Sequence, residues 1–178
     1  MNNEMNVNEL NKILNLQLTW IREADTKASI FLSAIGILLA FSLESHFFDI
    51  LVQELELLFK VNKFSGVVIV IVIIISFCYI AKGAISFYST LMPRVEGKVK
   101  NDSKIYFKTV SELDISTYKK SFLSSEYSYT NDLLEQIYNN ASIANQKMTL
   151  CSRGIQKTFI GFSILLLVEV IAFISHLI

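Results

Sequence analysis

A small set of side chains in this sequence has the chemistry to hold an anion, and they fall in three short stretches. Trp20, Arg22, Asp25 and Lys27 share the stretch WIREADTK; Arg94 follows the single proline, Pro93; Gln136, Tyr138 and Lys147 lie in LEQIYNNASIANQK. A cation neutralises an anionic oxygen, a carboxamide or carboxylate pairs with polar edges, and an aromatic ring offers a flat platform. The same residues suit an ordinary interfacial belt, with Trp and Tyr at headgroup depth and Lys and Arg reaching towards water. They also suit binding of anionic lipid headgroups.

Catalytic chemistry finds no support. There is no Gly-rich phosphate loop and no nucleophile motif such as GxSxG, and His46 and His176 are lone residues without metal-ligand spacing. Cys78 and Cys151 stand far apart with no CxxC, which reads as free buried thiols. The formal net charge is zero, with neither a basic nucleic-acid footprint nor an acidic tail. The expectation is therefore a non-enzymatic protein with no catalytic residue, no metal and no cofactor.

The elements that must position these residues are membrane helices. Of the 178 residues, 52% are hydrophobic, and only one proline and six glycines interrupt them. The first apolar run, Ala28 to Leu43, is about 24 Å long as a helix, short for a hydrocarbon core of about 30 Å. Phe64 to Ala81 and Thr158 to Ile178 have the length of full spans. Between the first two, Asp49, Gln53, Glu56, Lys60 and Lys63 recur by four and three opposite Phe48, Val52, Leu55 and Phe59, which predicts an amphipathic outer helix or a kinked continuation of the first span. The second helix is predicted to run on to Pro93. Basic residues concentrate between Arg94 and Lys157, so the positive-inside rule places that segment and the N terminus in the cytosol, and the C terminus outside. The polar N terminus lacks a basic region followed by an apolar core, which argues against a cleaved signal peptide.

Two heptad-like stripes extend beyond the membrane. Leu10, Leu14, Gln17, Ile21, Ala24 and Ala28 form one; Leu134, Ile137, Ala141, Ala144, Met148, Cys151 and Ile155 form the other. The reading is an all-α membrane protein of three transmembrane helices, the first and third extended into a cytosolic helical stalk, with self-association along the seams. Its segments are a cytosolic N-terminal helix (1–27), two spans with their outer connection (28–92), a cytosolic segment and stalk helix (93–157), and a third span (158–178). The cytosolic segment begins with the polar stretch RVEGKVKNDSK and carries one helix around Ser111 to Ser124. Gly154 and Gly161 interrupt the last helix, at a cost of about 1 kcal/mol each. Two charges fall inside apolar runs: Glu169 lies about 16 Å past Thr158, and Lys82 is the candidate cation to pair with it. A neutral Glu169 hydrogen-bonded between copies, or a place in a conducting path, are the alternatives.

Three stretches together resemble the Pycsar membrane effectors of the PycTM type: WIREADTKAS at the first membrane entry, ISFYSTLMPR at the exit of the second helix, and LEQIYNNASIANQKM before the last span. The resemblance covers the chain from Trp20 to the third span. It implies a bacterial antiphage effector that responds to a cyclic pyrimidine nucleotide, cUMP or cCMP, made by a partner cyclase, and then impairs the inner membrane, causing abortive infection. For such a ligand, Trp20, Arg22, Asp25, Lys27, Arg94, Gln136, Tyr138 and Lys147 are the candidate contacts, converging at one cytosolic level. A helical membrane scaffold or a small channel subunit without nucleotide sensing is the alternative.

Overall fold

The computed structural model describes residues 7–44, 49, 52–53, 55–56, 59, 63–94, 103–124 and 127–177. The helices given in full among the described residues are α1 (Val7–Glu44), α2 (Lys63–Leu91), α3 (Phe107–Glu112), α4 (Ile115–Phe122) and α5 (Tyr129–Leu177). No strand occurs among the described residues. Three of these helices, α1, α2 and α5, contain windows long and apolar enough to cross a membrane.

Both long helices that were expected to run unbroken do so. α1 passes from the polar stretch around Trp20 into the apolar run with no interruption, and α5 continues for 49 residues through Gly154 and Gly161. α2 ends at Leu91, just before Pro93, because a residue preceding proline is pushed out of helical geometry. Of the amphipathic run between Phe48 and Lys63, residues Asp49, Val52, Gln53, Leu55, Glu56 and Phe59 are helical, and Lys63 opens α2; the other positions lie outside the described residues. So does most of RVEGKVKNDSK.

The single helix expected around Ser111 to Ser124 is instead two short ones. Asp114 breaks it, in extended geometry, by accepting the backbone N–H groups of Ser116 at 2.8 Å and Thr117 at 3.1 Å. An aspartate that can cap a new helix competes with continuation of the old one. Hydrogen bonds from the side chains of Thr117 and Ser116, and then from their backbone N–H groups, hold the Asp114 carboxyl well below the usual carboxylate range.

Packing divides the chain into two units, one made of residues 1–25 and 92–148, the other of 26–91 and 149–178. In the second unit, Ala28, Ile35, Ile80, Phe87 and Cys151 form the buried cluster. Phe87 stacks on Phe31 with ring centroids 5.4 Å apart, and its other neighbour is Gly154, where an added Cβ would sit 2.7 Å from the ring. Farther along, the Ser76 hydroxyl donates to the Gly161 carbonyl at 2.6 Å, and a Cβ at Gly161 would lie 2.9 Å from the Ser76 carbonyl oxygen. Gly83 likewise approaches the Gly154 carbonyl and Thr158. Small residues spaced seven apart on both helices, Ser76 with Gly83 and Gly154 with Gly161, thus let α2 and α5 touch along their backbones.

The first unit contains the expected stripe of α1, with Leu10, Gln17 and Ala24 buried. On α5 the buried line departs from the heptad reading. Leu134 is exposed, whereas Asp132, Leu133, Gln136 and Asn139 are buried with Ala144 and Lys147. The segment from Ser103 to Tyr127 covers that side of the helix, so a second face is used.

The α2–α5 contact is testable. Gly161→Leu drives a side chain into the backbone of α2, and overpacking of this kind costs about 1–3 kcal/mol. Thermal unfolding in detergent is expected to shift down by several degrees for Gly161→Leu and by less for an exposed control, Leu167→Ala. Equal midpoints would refute the contact.

Candidate functional site

The first unit carries an open cavity of about 420 Å³. That is within the range of small-molecule sites, about 300–1,000 Å³. Leu14, Leu18 and Ile21 of α1 form one wall, and Gln136, Asn140, Ile143 and Lys147 of α5 form the facing one. Spacings of four and three place each set on a single helix face. Ile105, Tyr106 and Phe107 close a third side, and Arg94 a fourth.

The lining is polarised. Lys147 is 4% exposed, and its Nζ pairs with the Asp25 carboxylate at 2.5 Å. Arg94 donates from Nη1 to Gln146 Oε1 at 3.0 Å, while its Nε is buried with no hydrogen-bond partner among the described residues. Gln146 adjoins Lys147, so the two cations stand at one level of α5. Asn140 lies about 10 Å and Gln136 about 16 Å back along the helix axis. Neither of these carboxamides bonds another described group, and the Tyr106 and Phe107 rings border the cavity with them.

The loop before α3 is pinned in place by buried polar groups. Asp132 Oδ2 accepts the Lys104 backbone N–H at 2.8 Å and the Tyr127 hydroxyl at 2.9 Å. Burial, then the bond to Asp132, raises the Tyr127 phenol well above its ordinary value. The Ser103 hydroxyl accepts the N–H groups of Ile105 and Tyr106, and the Tyr118 hydroxyl donates to the Lys104 carbonyl. These bonds fix the backbone from Lys104 to Tyr106, and so the wall to which Tyr106 and the largely exposed Phe107 belong.

Of the residues singled out from sequence, Arg94, Gln136 and Lys147 meet around this cavity, and Asp25 joins them through Lys147. Trp20 and Arg22 do not line it. They flank Ile21 in the chain, and at about 100° per residue both turn away from the face that Ile21 presents. Tyr138, two residues from Gln136, is 57% exposed, and Lys27 is an exposed residue of the second unit. Asn140, Tyr106, Phe107 and Asp132 were not singled out. Asn140 carries a sequence signal, being four residues after Gln136 on the same helix, whereas the loop residues reach the site only through long-range pairing.

Within the second unit Lys82 and Glu169 do not meet. Gly83 packs at the level of Gly154 to Thr158, which puts Lys82 there too, while Glu169 is eleven residues beyond Thr158, about 16 Å along α5. Lys82 thus lies about 16 Å along the helices from the level of Glu169, too far to pair with it. Glu169 lines an apolar cavity of about 280 Å³ with Leu38, Ser42, Phe77 and Leu165. Among the described residues, no cluster of His, Cys, Asp and Glu is placed to hold a metal ion.

Comparison with known proteins supplies the relationship. The Pycsar effector protein domain, PycTM, matches residues 9–176. The Pycsar effector protein GmPycTM of Gulbenkiania mobilis is 28% identical, over 76% of this chain and 77% of that protein. No solved structure matches the chain. With three helices apolar enough to span a bilayer and a family match over nearly its whole length, this chain belongs to the Pycsar effector family of membrane proteins.

Proposed function

We propose that this protein senses a cyclic pyrimidine nucleotide, cUMP or cCMP, in the cavity of its first unit and then impairs the bacterial inner membrane, ending phage infection by abortive infection. Membership of the Pycsar effectors carries antiphage defence through cyclic pyrimidine signalling. The observation that supports a ligand in this cavity is its polarity. Arg94 and Lys147 mark one end, the carboxamides and aromatic rings the other, and apolar side chains lie between. A cyclic mononucleotide has the matching layout, with one negative phosphodiester, a sugar and a flat base. A partner cyclase supplies it, and the protein itself performs no chemistry on it.

Arginine and lysine facing one phosphodiester form charge-assisted bonds of about 1.5–3 kcal/mol each. Calorimetry on the detergent-purified chain is expected to show Arg94→Ala and Lys147→Gln weakening cUMP or cCMP binding on the order of tenfold or more. Lys27→Ala, outside the cavity, leaves it unchanged. Equal affinity in all variants would move the site elsewhere.

The basic residues between Arg94 and Lys157 support a cytosolic position for this unit by the positive-inside rule. A cysteine introduced at position 56 is then expected to react with an impermeant thiol reagent added from outside, and one at position 100 is not. The reverse pattern would overturn the orientation.

We assign Glu169 to holding a homo-oligomer in its resting arrangement. An ionised side chain at that depth costs at least about 2.5–3.5 kcal/mol, so a hydrogen bond to a neighbouring copy is favourable. A polar bond between helices in lipid contributes about 0.6–2 kcal/mol. Glu169→Leu is expected to reduce crosslinked homo-oligomer and to alter growth arrest, and Glu169→Gln to do so much less. Identical crosslinking and arrest in wild type and Glu169→Leu would remove this role.

A further inference from the structure

We infer that Gln136 and Asn140 read the edge of the base, and that this pair sets which cyclic nucleotide the chain prefers. The inference rests on the cavity being a nucleotide site. Gln136 is 8% exposed, lines the cavity, and has a carboxamide that bonds no other described group. Asn140, one turn along the same face, is half-buried, lines the cavity too and likewise bonds no other described group. Two carboxamides on one wall of a cavity, each with donors and an acceptor to offer, suit a ligand with complementary polar edges.

The edge of a pyrimidine fits. A carboxamide offers an acceptor oxygen and two N–H donors side by side. Uracil presents a ring N–H between two carbonyl oxygens; cytosine presents a ring nitrogen acceptor beside an amino donor. A carboxamide lying one way round matches uracil and the other way round matches cytosine, so the orientation that the bound site favours sets the preference, by the same bidentate geometry with which asparagine and glutamine pair with adenine. Tyr106 and Phe107 supply ring faces at this end, where stacking is indifferent to base identity. The cations at the other end meet the phosphodiester and ribose, which all cyclic mononucleotides share. Discrimination therefore belongs to Gln136 and Asn140.

The test uses the full chain in detergent, titrated calorimetrically with cUMP and with cCMP. Gln136→Glu and Asn140→Asp keep the shape and remove the donors, leaving a carboxylate that accepts from the amino group of cytosine but faces a carbonyl of uracil. In at least one variant, the ratio of cCMP to cUMP affinity is expected to rise about tenfold or more, the scale on which a bidentate contact discriminates. Arg94→Ala is expected to lower both affinities and leave their ratio in place. A wild-type chain that binds, with a ratio unmoved in both carboxylate variants, would overturn the inference alone. A wild-type chain that binds neither nucleotide would overturn the cavity reading and this inference together.

Discussion

Three helices in hydrocarbon gain nothing by hiding leucines from lipid, because the lipid is as apolar as they are. What holds the second unit together is therefore contact, and contact depends on how closely the backbones approach. Gly154 and Gly161 on α5 and Ser76 and Gly83 on α2 provide that approach, with the Ser76 hydroxyl closing a bond across it. Phe87 then fills the notch that Gly154 leaves open and stacks on Phe31, which ties α1 into the same cluster. Large apolar side chains such as Ile37, Phe64, Ile74 and Phe159 remain on the outside, where lipid receives them.

The first unit follows the opposite economy. It buries polar and charged groups, Lys147, Asp132, Gln136 and Asn139 among them, and this is stable only where partners are supplied. Asp25 answers Lys147, while Tyr127 and the Lys104 N–H answer one oxygen of Asp132. Gln136 and Asn140 bond no other described group. They line the same cavity as Arg94 and Lys147, and that shared lining is what the proposed ligand reading rests on.

How much of this is legible in the sequence depends on the range of the interaction responsible. The three spans, the all-helical class and the unbroken passage of α1 and α5 out of their apolar runs follow from hydropathy and helical period, since in a bilayer a helix satisfies its own backbone. The seam of α1 followed as well, because Leu10, Gln17 and Ala24 answer to a single partner face. Gln136 and Lys147 lie on one face of one helix, which the period alone shows; that Arg94 lines the same cavity is a matter of packing.

Tertiary structure decided what the period cannot carry. Gly154 and Gly161 read along the chain as a cost to α5; only the approach of α2 makes them the contact surface. Asp114 looked like one more polar residue in a helix until its carboxylate captured two backbone N–H groups and began another. Trp20, Arg22 and Tyr138 have suitable chemistry but the wrong phase, and Lys82 has the wrong level. Tyr106 and Phe107 line the cavity because a hydrogen bond from the Lys104 N–H to Asp132, far apart in sequence, brings their loop against α5. Spacing along one helix determines which residues share a face; which face meets a partner depends on packing, and that is a property of the whole chain.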